Sequence, residues 1–165
     1  MLILGIDPGT AITGYGLVRE EEAGLALVGC GVVTTPAGQP LPERLQTIYQ
    51  GLCDVVRQHQ PEAAAVEELF FSRNVRTALS VGHARGVTLL ALADSGLPIH
   101  EYKPQEVKLA IAGYGGADKH QVQEMVRMLL SLDSVPQPDD AADAVAVAVC
   151  HIHSARMAAL LEAAG

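Results

Sequence analysis

Apolar residues form short runs typical of β-strands in some segments of the chain and recur at the helical repeat in others. An almost continuous apolar run predicts a buried first strand at residues 2–7. Two further strands, rich in β-branched residues and glycine, are expected at 13–20 and 25–35, joined by an acidic turn at 20–24. Because short turns connect these three strands, they should form an antiparallel meander.

The remainder of the chain alternates between predicted helices and strands. They are a helix from Pro42 to just before Pro61, a strand at 63–67, a loop at 69–74, a helix at 75–94, a strand at 97–102, a helix at 104–112, a helix whose capping box pairs Asp118 with Gln121, and a final helix from about Asp140. This order predicts an α/β fold, in which a five-stranded mixed sheet combines the meander with parallel strands and carries helices on both faces. At 165 residues, the chain should form a single domain, residues 1–165.

Two glycines interrupt the long helix predicted at residues 75–94. Gly82 and Gly86 each cost about 1 kcal/mol relative to Ala inside a helix. Close packing of this helix against another element is the expected compensation.

Composition indicates a cytoplasmic protein. The three cysteines are odd in number and widely spaced, which is typical of buried thiols in a reducing compartment. Met1 runs directly into Leu2–Leu4 without a basic segment, so no signal peptide is expected. No stretch approaches the roughly 18 apolar residues that a membrane span needs, so no membrane partner is expected.

The net charge of −8 at first argues against a nucleic-acid partner. However, residues 73–127 hold seven of the eleven Lys and Arg residues and only five of the nineteen Asp and Glu residues. Such an asymmetric distribution can build one basic face on an acidic molecule.

Four carboxylates occupy positions where chemistry is expected. Asp7 ends the first strand, Glu67 ends the fourth, and Asp140 and Asp143 are three residues apart at the start of the last helix. If the two strands are parallel neighbours, Asp7 and Glu67 converge at their carboxyl ends. Residues spaced i and i+3 share a helical face, so the last helix can add both of its Asp residues.

Each acidic position also has a purely structural interpretation. Asp139 or Asp140 could cap the last helix, Asp7 could initiate a turn, and Glu67–Glu68 could be a solvated strand end. Asp143 fits none of these interpretations, because it lies inside a helix of Ala and Val.

Clustered carboxylates repel one another unless a cation neutralises them. Ligand sets made only of oxygen select hard cations such as Mg²⁺ or Mn²⁺. Two such ions about 3.5–4 Å apart can clamp a phosphodiester for in-line attack by water. The acidic cluster therefore favours a metal-dependent enzyme acting on phosphodiesters.

Taken together, the motifs of the sequence resemble those of a family, the RuvC-type Holliday junction resolvases of the RNase H-like superfamily. The matching blocks, in chain order, are Gly5-Ile6-Asp7-Pro8-Gly9-Thr10 with Thr13-Gly14-Tyr15-Gly16, Val66-Glu67-Glu68 with Phe70, Gln105-Glu106-Val107-Lys108, Lys119 before Gln121-Val122, and Asp140-Ala141-Ala142-Asp143-Ala144. The resemblance extends from about residue 2 to 153. The opening block alone is shared with related nucleotide-binding folds, whereas the set in this order is specific.

The resemblance implies an RNase H-like endonuclease that cuts four-way DNA junctions in recombination and repair. It implies a catalytic and metal-binding set of Asp7, Glu67, Asp140 and Asp143, with two Mg²⁺ ions per subunit that Mn²⁺ can replace. It also implies a homodimer paired through the helix at 75–94, and action beside a RuvAB-type branch-migration helicase complex. The sequence departs from the family pattern in two places. Asp139 is an extra carboxylate, and the sequence ends at Gly165 without the basic tail of some members, so junction affinity is expected to be weaker or more salt-sensitive.

DNA contacts are expected outside the carboxylate cluster. Phe70 follows the second acidic motif and is a candidate for stacking on an unpaired base at the junction centre, whereas Phe71 is expected in the core. The cationic candidates for DNA contacts are Arg73, Arg76, Lys108 and Lys119, the two lysines as contacts to phosphate. His151 and His153 are expected to be ordinary core or surface residues, because a spacing of two points them apart on a helix.

Three other functions compete with junction cleavage. An ATPase or sugar-kinase relative shares the opening turn but requires two such domains and a much longer chain. A catalytically silent junction-binding module would not need all four acids. A nuclease acting on RNA–DNA hybrids would use the same chemistry, and only the paired Phe residues and the expected dimer argue against it.

Overall fold

A computed structural model of the chain describes residues 1–68 and 75–164. Its elements are β1 (Leu2–Asp7), β2 (Ile12–Glu21), β3 (Gly24–Thr34), α1 (Leu41–His59), β4 (Ala63–Glu67), α2 (Val75–Asp94), β5 (Ile99–Tyr102), α3 (Pro104–Ala112), α4 (Lys119–Leu129) and α5 (Asp139–Ala163). The order is the one predicted from the sequence. The start of β5 differs by two residues, because the Leu97 amide donates to the Leu92 carbonyl and so closes the end of α2.

The five strands form one sheet in the order β3-β2-β1-β4-β5. β1 pairs with β2, and β2 with β3, in antiparallel register. β1 and β4 are parallel, as are β4 and β5. The predicted mixed sheet, a meander extended by parallel strands, is therefore confirmed.

Strict alternation along β1 and β4 divides the core into two layers. Leu2, Leu4 and Ile6 pack with the helices of one face, α1 and α2. On the other face, Ile3 and Ala65 pack with residues of α3, α4 and α5. Since successive side chains of a strand point to opposite faces, each layer takes every second residue, and helices cover both faces as predicted.

Helix α5 lies almost directly on the backbone of the sheet. A Cβ atom on Gly5 of β1 would overlap the Ala144 carbonyl oxygen, and one on Gly14 of β2 would overlap the Asp140 carbonyl oxygen. A Cβ on Gly16 would lie 2.8 Å from the Cα of Val145. We call these three residues the glycine track. Their missing side chains allow the first turns of α5 to rest on β1 and β2.

The composition of α5 corrects one expectation. Asp139–Ala163 is long and apolar enough to cross a membrane by length and composition alone, although the sequence pattern predicted no such stretch. Half of its most apolar 18-residue window is buried inside the protein. The Ala and Val residues that give the helix its hydropathy are those that pack against the sheet and against α3 and α4. The high hydropathy is thus accounted for by the position of α5 in the core.

Candidate active site

The carboxyl ends of β1 and β4 place Asp7 beside Glu67. The strands pair in parallel with Ile3 opposite Ala63 and Gly5 opposite Ala65. Continuing the alternation by two residues puts both carboxylates on the face covered by α5. The protonated Glu67 carboxyl donates a hydrogen bond to the Asp7 carboxylate. The predicted convergence of these two residues is therefore present.

The first turn of α5 adds the remaining two acids. The N-cap of α5 is Pro138, and no side chain forms a cap hydrogen bond there. The interpretation of Asp139 or Asp140 as a helix cap is therefore wrong. The negative charges of Asp143 and Asp140 both act on Asp7 and raise its pKa, so α5 brings them close to the strand ends.

Burial and mutual repulsion make the cluster resist ionisation. Burial, followed by the charges of Asp143 and Asp140, raises the pKa of Asp7 to about 6. Burial, followed by the charges of Asp7 and Asp143, raises the pKa of Glu67 to about 8. Burial also raises the pKa of Asp143, with its hydrogen bond to Lys119 opposing the rise. Neither the turn interpretation of Asp7 nor the solvated-end interpretation of Glu67 accounts for such values.

Lys119, at the start of α4, faces the cluster. Its Nζ lies 2.8 Å from Oδ2 of Asp143 and 3.4 Å from Oδ2 of Asp139. Asp139 also accepts a hydrogen bond of 3.3 Å from Nε2 of Gln123 on α4. Asp139 thus faces α4 rather than Asp7, which favours Asp140 over Asp139 as a member of the cluster.

A cavity of about 180 Å³ opens beside Glu67 and Asp143. Both lysines expected to bind phosphate, Lys108 and Lys119, line it. The rest of the described wall is mostly apolar, formed by Pro104, Val107, Val122 and Ala146. An anion entering this cavity would therefore meet both ammonium groups next to the carboxylates.

The cluster fits a hard divalent cation by its chemistry. Within residues 1–68 and 75–164, no three His, Cys, Asp or Glu side chains are already arranged to hold a metal ion. Instead, the proton shared by Glu67 and Asp7 and the Lys119 ammonium neutralise the charge. The donors are all carboxylate oxygens, the ligand type that suits Mg²⁺ and Mn²⁺. A divalent cation could therefore replace the shared proton and relieve the repulsion.

Known endonucleases resemble this chain along most of its length. A family model described as "Crossover junction endodeoxyribonuclease RuvC" matches residues 3–151. The chain belongs to the RuvC family. A crossover junction endodeoxyribonuclease RuvC of Chloroflexus aggregans is 61% identical over 155 residues, which cover 94% of each chain.

Solved structures support the same assignment. Thermus thermophilus RuvC in complex with a Holliday junction substrate superposes with a TM-score of 0.90 at 40% identity, covering 96% of each chain. The yeast mitochondrial Holliday junction resolvase Ydc2 superposes with a TM-score of 0.68 at 11% identity, over 92% of this chain and 77% of its own. This more distant likeness shows that the fold is shared.

The remaining expected DNA contacts are placed only in part. Phe70, Phe71 and Arg73 lie outside the described residues, and Arg76 lies on α2 with its side chain outside the description. Their roles stay predictions. Two other cations of the basic segment are already paired within the chain, Arg85 with Glu101 and Arg127 with Glu124. The basic face inferred from charge counting is therefore smaller than the sequence indicated.

The glycine track is the part of the RuvC site that sequence reasoning missed. Gly5, Gly14 and Gly16 belong to the matched opening block, but no structural reason for them follows from a strand pattern alone. Gly14 pairs with Asp7 across β1 and β2, which places the track directly beside the cluster. A glycine at every second position of a strand is the signal that would have indicated a close approach by another backbone.

Proposed function

We propose that this protein resolves four-way DNA junctions by hydrolysing one phosphodiester bond at each of two symmetric sites. The observation on which this depends is the convergence of Asp7, Glu67, Asp140 and Asp143 at the carboxyl ends of two parallel strands. Membership of the crossover junction endodeoxyribonuclease family supplies the substrate class. The junction bound by the Thermus relative supports the same substrate.

Magnesium is the cofactor that we propose for the cluster. When bound, Mg²⁺ supplies a hydroxide nucleophile near neutral pH and stabilises the departing oxygen. Asp7 and Glu67 would hold it through oxygens that give up their shared proton, and Asp140 and Asp143 would complete the ligand set from α5. Two ions per subunit, with Mn²⁺ able to substitute, remain part of the proposal.

The two lysines of the 180 Å³ cavity would hold the DNA backbone. Lys119 pairs with Asp143, and Lys108 stands on the facing helix α3. With Asp143 assigned to hold the metal, the Lys119 ammonium would be available to a phosphate oxygen. The pair would then orient the strand at the carboxylates, since phosphate contacts fix position rather than read sequence.

A homodimer through α2 is supported by an exposed helical stripe. Leu79, Gly82, His83, Gly86 and Leu90 are all exposed, and they follow one another at helical spacing. Leu79 is 60% exposed and Leu90 is 54% exposed. In the described chain, a Cβ built on Gly82 or Gly86 would have no atom within 4 Å apart from its chain neighbours and the nearby backbone of α2. A second copy packed on this stripe would give the two glycines the close contact that their cost requires.

Other assignments are less well supported. Neither the RNA–DNA hybrid nor a silent binding module agrees with the endonuclease names of the relatives and the junction in the Thermus complex. Action beside a branch-migration helicase and a cytoplasmic location stay predictions from the resemblance and the composition.

A substrate comparison in Mg²⁺ tests the proposal. We expect the protein to cut a synthetic four-way junction and to leave a linear duplex and an RNA–DNA hybrid of the same sequence intact. Asp7→Asn should abolish cutting while keeping junction affinity in EDTA, because metal ligation needs the carboxylate charge and binding depends on cations. Asp54→Asn, on the exposed face of α1, is the matched control and should cut normally. Preferential cutting of the hybrid, or full activity of Asp7→Asn, would refute the proposal.

A further inference from the structure

A chain of hydrogen bonds holds Arg44 of α1 next to the loop that follows Asp7. The Arg44 Nε–H donates to Oγ1 of Thr35 over 2.8 Å, and the Thr35 hydroxyl donates to the Thr10 carbonyl over 2.5 Å. The Thr10 hydroxyl in turn donates to the Ser80 carbonyl of α2 over 2.6 Å. Thr10 and Thr35 are both 6% exposed, so the chain is largely shielded from solvent.

This network orients the guanidinium of Arg44 but engages only one of its N–H groups. Arg presents five N–H donors, and only Nε–H is engaged by Thr35. No carboxylate in the described part of the chain forms an ion pair with Arg44, whereas Arg57 of the same helix pairs with Asp54. Within the described residues, the two terminal amino groups and the positive charge of Arg44 therefore have no partner and can bind an external acceptor.

The acceptor has a defined place. Arg44 lines an open cavity of about 510 Å³ together with Gly9, Thr10, Thr77 and Ser80, and Asp140 of the carboxylate cluster forms part of the same wall. The hydroxyls of Thr77 and Ser80 and the cation of Arg44 provide donors suited to an anion. A cavity that combines a held guanidinium with hydroxyl groups is suited to a phosphate.

The position in the sheet separates this cavity from the lysine cavity. Thr10 lies in the loop after β1, and Thr35 directly follows β3. Both are on the β2 side of Asp7 in the strand order. Glu67 at the end of β4 and Lys108 on α3, which follows β5, are on the other side. Cations thus flank the carboxylates on both sides along the edge of the sheet.

We propose that the Arg44 cavity binds a backbone phosphate of the cut DNA strand, on the side of the scissile bond opposite to the phosphate held by Lys108 and Lys119. The strand then runs along the carboxyl edge of the sheet, from one cationic cavity across the carboxylates to the other. This inference rests on the proposed function, because it needs a DNA strand in the site. It adds a contact from α1, a helix that no sequence motif connected with DNA.

Single neutral phosphates in the substrate locate the contact. Each junction in a series carries a single methylphosphonate at a different position flanking the scissile bond. The affinity of wild type, Arg44→Gln and Lys108→Ala for each junction is measured in EDTA. One position on one side should weaken binding by wild type and by Lys108→Ala but not by Arg44→Gln. A position on the other side should weaken binding by wild type and by Arg44→Gln but not by Lys108→Ala.

The salt dependence supplies a second measurement. Losing one phosphate contact should reduce the slope of log affinity against log salt by about 0.9, which makes binding about 3.5-fold less sensitive to a rise from 50 to 200 mM salt. Arg57→Gln makes the same charge change on the same helix, at an exposed side chain, and should leave the slope and the methylphosphonate pattern unchanged. If Arg44→Gln proves too unstable to assay, wild type and Lys108→Ala decide: methylphosphonates on both sides of the scissile bond should weaken binding by wild type, and Lys108→Ala should become insensitive on one side only.

The outcomes separate this inference from the proposed function. If wild type cuts junctions in Mg²⁺ but Arg44→Gln keeps the full slope and the wild-type methylphosphonate pattern, the phosphate contact is refuted and junction cleavage stands. The phosphate contact is also refuted if, on the side of the scissile bond where Lys108→Ala leaves the pattern unchanged, no methylphosphonate weakens binding by wild type. If wild type cuts no junction at all, the proposed function itself is refuted.

Discussion

Replacing Glu67 by Gln should stabilise the metal-free protein at alkaline pH, although it removes a residue of the active site. In the folded chain, burial raises the pKa of Glu67 to about 8 from an ordinary value of 4.5. Between these values, the folded protein holds a proton that the unfolded chain has released. Stability therefore falls as pH rises through this window, because the folded state must give up the proton or keep it at increasing cost.

The size of the effect follows from one proton. Asp7 and Glu67 share a hydrogen-bonded proton, so we count one rather than two. Each pH unit over which one extra proton is bound changes the free energy of unfolding by about 1.4 kcal/mol. From pH 5 to pH 8 the free energy of unfolding of the wild type should fall by up to about 4 kcal/mol. In a chain of this length, each kcal/mol lowers the melting temperature by about 2–4 °C. The Gln side chain of Glu67→Gln does not titrate, and its amide can still donate a hydrogen bond to Asp7. The free energy of unfolding of this variant should therefore not fall in the same way.

Urea unfolding in EDTA at a series of pH values from 5 to 8 measures the difference. Wild type and Glu67→Gln should agree at pH 5 and diverge toward pH 8, with the variant more stable. Glu22→Gln, in the exposed turn between β2 and β3, should follow the wild-type curve. Added Mg²⁺ should stabilise wild type more than Glu67→Gln at pH 8, since binding to the folded state alone adds stability. Parallel curves for wild type and Glu67→Gln would show that the cluster does not hold the proton.

Three further predictions follow from the site and its supports. Lys108→Ala and Lys119→Ala should each lower the slope of log junction affinity against log salt by about 0.9, and unchanged slopes would return both lysines to an ordinary surface role. Gly14→Ala should cost about 1–3 kcal/mol in urea unfolding and slow cleavage, because the new methyl group meets the Asp140 carbonyl, whereas Gly29→Ala, with open space at its Cβ, should have little effect. A mixed dimer of wild-type and Asp7→Asn subunits should leave a supercoiled cruciform plasmid as nicked circles on a gel, and linear product at the wild-type rate would contradict a two-site dimer.

Periodicity and turn residues predicted most of the fold. Glycine and proline marked the ends of strands and helices, and the capping box of Asp118 and Gln121 starts α4 as expected. The order of elements then left few topologies, since parallel strands need helical crossovers and a meander does not. The predicted start of β5 was wrong by two residues because the Leu97 amide donates to the Leu92 carbonyl at the end of α2. The pattern of apolar residues does not predict such a backbone hydrogen bond.

The acids of the site were predictable from sequence, but their energetics and their surroundings were not. Asp7 and Glu67 could be paired by strand direction alone. The pKa values depend on how deeply α5 buries the cluster, which a one-dimensional pattern does not contain. Ion pairs such as Arg85 with Glu101 likewise join residues of different elements, so counting charges along the chain overstated the basic surface. The role proposed for Arg44 depends on three hydroxyl-bearing elements meeting, for which no motif exists.

The glycine track means that the catalytic geometry is specified by residues without any functional group. The height of α5 above the sheet sets the separation between Asp7 and the two Asp residues of its first turn, and three absent methyl groups set that height. A mutational scan of this protein should accordingly show its sharpest selection on glycines that touch neither metal nor DNA. Designers who transplant the four acids to another scaffold would need to copy this bare strip of backbone first.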